Sequence, residues 1–189
     1  MAEHHNSEKN IFGFWVYLMT DLIMFAVLFA TYAVLRNQTF GGPGPKEIFN
    51  LPYVLVETLI LLTSSFTVGL SLLAAHKNSK TQALVWLGVT FLLGVAFLTL
   101  EISEFRQLIL EGHSFQSSAF LSSYFALVGT HGLHIFAGLV WMGILVYKIL
   151  VSGLSQGSVR KLTLLSLFWH FLDLVWIFIF TIVYLMGVI

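Results

Sequence analysis

The sequence predicts an all-α protein: a polytopic membrane bundle of five transmembrane helices, forming one integral membrane domain over residues 1–189. Three observations predict it. Hydrophobic residues make up 58% of the chain and charged ones only 10%, which no ordinary soluble domain shows. The apolar residues are gathered into five runs, each of the roughly 20 residues needed to cross a bilayer. The runs lack the short alternation of barrel strands, and a helix satisfies its own backbone inside lipid.

The first span is expected at about 11–35, after a polar tail, "MAEHHNSEKN", that lacks the basic region and cleavage site of a signal peptide. His4 and His5 in that tail read as part of a mobile terminus rather than a metal site. Asp21 sits alone mid-span in "LMTDLIMF" and is expected to face a neighbouring helix. The connection "RNQTFGGPGPKEIFN" holds a Gly/Pro cluster and must turn. The second span, about 52–75, carries Glu57 near its outer end. "HKNSKT" then leads into the third span, about 82–105, with Glu101 and Glu104 near its outer end. The fourth, about 119–147, holds His131 and His134 in "GTHGLHIFAG". The fifth, about 162–188, has His170 and Asp173 near its middle. None of the connections can hold an extramembrane catalytic or electron-carrying domain.

Orientation follows from the cations. Lys9, Lys77, Lys80, Lys148, Arg160 and Lys161 fall on one side, and Arg36, Lys46 and Arg106 on the other. This bias predicts a cytoplasmic N-terminus and an external C-terminus. Trp15, Trp86 and Trp141 lie near span ends, as interfacial anchors do. Formal net charge is zero, so no basic surface points to nucleic acid. Cysteine is absent, which excludes disulfides, thiolate metal sites and thiol nucleophiles.

Ionisable groups in hydrocarbon are costly and therefore mark candidate functional positions. Eight stand inside the spans: Asp21, Glu57, Glu101, Glu104, His131, His134, His170 and Asp173. The spacing of three puts His131 and His134 on one helix face. That arrangement suits a metal or haem ligand pair, or hydrogen bonds between helices. The second is the expected reading, because a redox centre needs further ligands in fixed geometry. His170 and Asp173 repeat the pattern and are expected to pair with the histidines of the fourth span. The three glutamates should repel unless they share protons or cations, with Arg36 and Arg106 the nearby positive charges. A structural network at the outer interface is expected, with lipid head groups or proton capture as the alternatives. No phosphate loop, zinc motif or nucleophile elbow is present. On residues alone, no catalytic or metal site belongs to the chain. An accessory subunit and a free-standing channel or transporter both remain in play.

"FLTLEISEF", "GTHGLHIFAG" and "LFWHFLDLVWIFIFTIVYLMG", in this order on successive hydrophobic segments, resemble subunit three of the haem–copper respiratory oxidases. "IFGFWVYLMTDLIMFAVLFATYAVL" followed by "GGPGPKEIFNLPYVLVETLILL" is similar to the short form of that subunit in bacterial ubiquinol oxidases of the cytochrome o type. The resemblance implies a noncatalytic subunit in the bacterial inner membrane. Its partners would be a subunit one that carries the haems and copper, subunits two and four, and membrane phospholipids. Ubiquinol would be oxidised at the level of the complex, with oxygen reduced to water and protons pumped. Glu57, Glu104, His131, His134, His170 and Asp173 fall on family motif positions, with no metal ligation implied.

Overall fold

The computed structural model describes residues 2–39, 41, 44, 48–113 and 115–188, with side chains from residue 11 onward. The side chains of His4, His5, Lys9 and Lys46 lie outside the described set. Five long helices carry the expected apolar runs: α1 (Ala2–Leu35), α2 (Leu51–His76), α3 (Lys80–Leu110), α4 (Ala119–Ser152) and α5 (Gln156–Ile179). α5 continues through a π-helical turn, Phe180–Leu185, into a last helical turn at Met186–Val188. Each of the five is long and apolar enough to cross a membrane. The protein is a multi-pass, all-α membrane bundle.

The helices outrun the hydrophobic segments. α3 reaches Leu110 and α4 reaches Ser152, while α5 already begins at Gln156. At 1.5 Å per residue, 34 residues span roughly 50 Å, so the polar ends stand clear of a hydrocarbon layer about 30 Å thick. Local signals set the ends. Pro52 occupies the first turn of α2, where its missing N–H costs no bond. Ser118 and Ser155 cap α4 and α5 by accepting from Leu121 N and Ser158 N, at 3.1 and 3.2 Å. The α2–α3 connection turns on Asn78 at φ 58°, a conformation that Asn tolerates better than most side chains.

Successive helices run antiparallel. Lys80 Nζ donates to Leu150 O at 3.1 Å, which joins the α2–α3 and α4–α5 connections at one end. Phe120 N donates to Gln38 O at 3.3 Å at the other end. α2 lies against both α3 and α5; α4 closes the group by packing on α3 and α5. α1 is peripheral, seated mainly on α4.

The inner face of α3 shows how the sequence builds this. Its buried residues, Ala83, Leu87, Thr90, Gly94, Phe97 and Glu101, alternate spacings of four and three. That is the seam of a left-handed helix pair. Gly94 opens it for Trp169: a Cβ there would stand 2.9 Å from both Trp169 Cη2 and Leu139 Cδ2. On α4, a Cβ at Gly138 would stand 3.0 Å from Trp169 Cζ3. The fully buried indole fills the space between the two glycines, and its Nε1 donates to Ser64 Oγ of α2 at 2.9 Å. One side chain of α5 therefore touches three other helices. One turn or two further on, Trp176 does similar work, with Nε1 donating to Thr58 Oγ1 at 3.0 Å.

Candidate functional site

Seven of the eight ionisable positions gather in three places, and His131 stands apart from them. The first is near the end of the bundle that holds the α1–α2 and α3–α4 connections. Glu57 of α2 and Glu101 of α3 are buried, at 0% and 2% exposure. Among the described residues all four of their carboxyl oxygens lack a hydrogen-bond partner. Glu101 rests on Gly132 of α4: a Cβ there would lie 2.5 Å from its Oε1, so only glycine leaves room for the carboxyl. Glu104, one turn along α3, is engaged. Tyr184 donates to its Oε2 at 3.0 Å, and the Tyr184 and Tyr124 hydroxyls meet at 2.9 Å. The π-helical turn carries Tyr184, and its wider winding falls where that hydroxyl meets Glu104.

A small cavity of about 90 Å³ reaches Glu104, lined also by Asn50, Tyr53, Gln107 and Glu111. Tyr53 closes its inner side and donates to Leu100 O at 3.0 Å. Of the two ways open to these carboxylates, sharing protons or pairing with the nearby cations Arg36 and Arg106, the second is not what the structure shows. Among the described residues neither arginine pairs with them, and Glu104 is held by tyrosine instead. The reason is geometric. Arg106 projects from the exposed side of α3, away from the inner face that bears Glu101.

The second place joins α1 and α4. Asp21 Oδ2 lies 3.7 Å from His134 Nε2. The other ring nitrogen of His134, Nδ1, is 2.7 Å from Thr130 O, one turn back on its own helix. Asp21 therefore faces a neighbouring helix. His131 points elsewhere, with its Nε2 3.1 Å from Leu172 O of α5 and its ring against Trp176 and Phe97 at centroid distances of 5.1 and 5.9 Å. The shared helix face does not make a shared site: two residues three apart diverge by about 60° around the axis. His131 takes the inner edge and His134 the α1 side.

The third place joins α2 and α5 at mid-bundle. His170 Nδ1 is 2.6 Å from Ser65 Oγ, and the same serine is the polar neighbour of Asp173. Asp173 Oδ1 is buried and, among the described residues, without a hydrogen-bond partner. The expected pairing of His170 and Asp173 with the α4 histidines does not form; they face α2 instead. The polar residues of α2, Thr58, Ser64 and Ser65, drew no notice in the sequence. Their spacing along the α2 face, matched by Trp176, Trp169 and His170 on α5, was the available signal.

These three places do not converge on one centre. Among the described residues no three of His, Cys, Asp or Glu gather as a metal ion requires. Each of the three intramembrane histidines spends a ring nitrogen on a carbonyl or hydroxyl. Such a bond leaves the other ring nitrogen able to ligate; it is the scatter of these side chains over separate places, among the described residues, that does not fit a haem or copper centre.

Comparison with known proteins adds an independent line. The family model described as cytochrome c oxidase subunit III matches residues 3–188. The chain is 60% identical over 184 residues to the protein named cytochrome bo(3) ubiquinol oxidase subunit 3 of Pseudomonas aeruginosa, covering 97% of this chain and 88% of that one. The protein of the same name from Pseudomonas putida is 54% identical over 98% of this chain and 89% of its own length. The cytochrome c oxidase subunit 3 of Bacillus sp. strain PS3 is 45% identical over 96% of this chain and 88% of that protein.

Proposed function

The chain belongs to the cytochrome c oxidase subunit III family, and from that membership we propose that it is a noncatalytic accessory subunit of a quinol-oxidising, proton-pumping terminal oxidase. It supports the assembly and durability of the catalytic subunit, and its apolar faces seat phospholipid. The observation that carries the choice of quinol is the pair of Pseudomonas relatives. At 60 and 54% identity both are named for ubiquinol, whereas at 45% and below names for cytochrome c and for quinol both occur.

The geometry supports the accessory role in a physical way. Several intramembrane polar groups join helices: Ser65 to His170, Leu172 to His131, Glu104 to Tyr184. Glu57 and Glu101 make no such bond among the described residues. On this reading electron transfer belongs to another chain. Haems and copper belong, on this reading, to subunit one, with subunits two and four completing the complex and ubiquinol as its substrate.

The complex lies in the bacterial plasma membrane. Lys77, Lys80, Arg160 and Lys161 cluster at the α2–α3 and α4–α5 end, with Lys148 just inside it; by the positive-inside rule this supports a cytoplasmic position for that end and the N-terminus, and an external C-terminus.

Purification in mild detergent tests the reading. The chain should migrate with partners that carry a haem spectrum, and when expressed alone it should carry no stoichiometric haem, copper or iron. One tightly bound metal per chain, lost in a His131→Ala, His134→Ala double variant, would overturn the proposal. So would a chain that is stable and transports solute by itself.

A further inference from the structure

We propose that the α2–α5 seam centred on His170 is the docking face for a transmembrane helix of another subunit, one that presents a hydrogen-bonding side chain at mid-membrane. The inference rests on the subunit reading above. Its starting point is depth. Arg160 and Lys161 mark the near interface on α5, so His170 stands 9 residues inside it (170 − 161). At 1.5 Å per residue that is roughly 14 Å, close to the middle of a layer about 30 Å thick and further than an imidazole can snorkel.

Yet His170 is exposed on the bundle surface. Its Nδ1 is engaged by Ser65 Oγ at 2.6 Å. The serine has one proton, directed either at this nitrogen or at the neighbouring Asp173 carboxyl. In either case Nε2 retains one hydrogen bond to make, and it faces outward.

Other outward-facing polar side chains on the spans do not share this problem. Thr31, Thr63 and Thr181 return their hydroxyls to the carbonyl one turn back on their own helix, at 2.7–2.9 Å. Acyl chains satisfy such residues fully. They offer nothing to His170 Nε2, which needs a donor or acceptor where hydrocarbon has none.

The surroundings suit a helix. Leu62 and Phe66 of α2 and Leu174 and Ile177 of α5 are exposed around the imidazole, at 40, 67, 50 and 41%. Gly69, one turn beyond Ser65, has nothing within 4 Å of a built Cβ and leaves a shallow in the surface. An apolar rim around one buried polar contact is how membrane helices recognise each other.

The test uses the whole complex in native membranes, with benzoylphenylalanine at position 174 in place of Leu174. Irradiation should give an adduct between this chain and one other subunit of the haem-bearing complex, identified by mass spectrometry. His170→Leu should lower the adduct yield about three- to tenfold, as the loss of one membrane hydrogen bond implies. His170→Gln, which keeps a polar end, should restore much of it.

Adducts with lipid alone, or with a second copy of this chain, overturn the proposal even if His170→Leu proves unstable, because they are read with His170 in place. Haem content of the same purified sample then separates two failures. If haem co-purifies, only the docking face is wrong; if it does not, the subunit reading falls as well.

Discussion

Gly94→Ala should destabilise the bundle by more than its single methyl group suggests. The added Cβ would meet Trp169 Cη2 and Leu139 Cδ2, both at 2.9 Å, and Trp169 Cζ2 at 3.0 Å. Leu139 can rotate away, but the indole cannot easily do so. Its far side rests on Gly138 and its Nε1 is held by Ser64. Relieving the clash moves the ring and stretches that bond. Overpacking of this kind costs about 1–3 kcal/mol. A weakened membrane hydrogen bond adds about 0.6 kcal/mol. The sum, about 1.6–3.6 kcal/mol, should show in equilibrium unfolding with SDS in mixed micelles, followed by far-ultraviolet circular dichroism. Gly143→Ala is the control, since nothing lies within 4 Å of its built Cβ. Trp169→Phe removes the clashing atoms, so the Gly94→Ala, Trp169→Phe pair should be much less than additive. Equal stability of Gly94→Ala and Gly143→Ala would refute the packing account.

Asp173→Asn keeps shape and hydrogen bonding beside Ser65 and should assemble better than Asp173→Leu; the amount of intact complex after solubilisation reads this, and normal assembly of the leucine variant with failed pumping in the asparagine variant would contradict it. Tyr184→Phe strands both Glu104 Oε2 and the Tyr124 hydroxyl, whereas Tyr124→Phe leaves the Tyr184–Glu104 bond in place. The first should cost about 1–3 kcal/mol and the second about 1 kcal/mol or less, measured by the same SDS titration. Glu57→Gln and Glu101→Gln should leave initial quinol oxidation and proton stoichiometry nearly intact and appear as earlier loss of subunits in detergent. Turnover and proton release in reconstituted vesicles provide the check, and an immediate loss of pumping in an assembled complex would place these carboxylates on a proton path.

Hydropathy alone reveals depth along the membrane normal, and at that level the chain was legible. The five helices and the mid-span positions of Asp21, His131 and His170 follow from it. Direction around each helix is a different quantity. It could be read where a seam repeats, as on α3, where the spacing from Ala83 to Glu101 turns the glutamate inward. It could not be read for His170, whose helix is apolar on every side, so nothing in the pattern marks the exposed face. Partner choice was less legible still. Charge suggested Arg36 and Arg106 for the carboxylates, but Tyr184 arrives through a π-helical turn that no local propensity announces. The serines and threonine of α2 were hidden for a related reason. They look like ordinary small residues of a membrane helix until the tryptophans of α5 are placed opposite them.

Those α2–α5 bonds bear on how the chain is made. Ser64 and Ser65 bond residues 105 positions later, and Thr58 bonds one 118 positions later. At synthesis rates of about 5–20 residues per second, α5 leaves the ribosome roughly 5–20 s after α2. During that interval Glu57 is already within the membrane, and the tryptophans that lock α2 in place do not yet exist. Until α5 arrives the nascent chain is held by α1–α4 alone, with the α2–α3 hairpin its most complete unit. An insertase or quality-control protease therefore meets an unfinished substrate for seconds in every round of synthesis. Truncation before residue 169 would make that state permanent, so premature stop codons late in the gene should be cleared from the membrane as thoroughly as early ones.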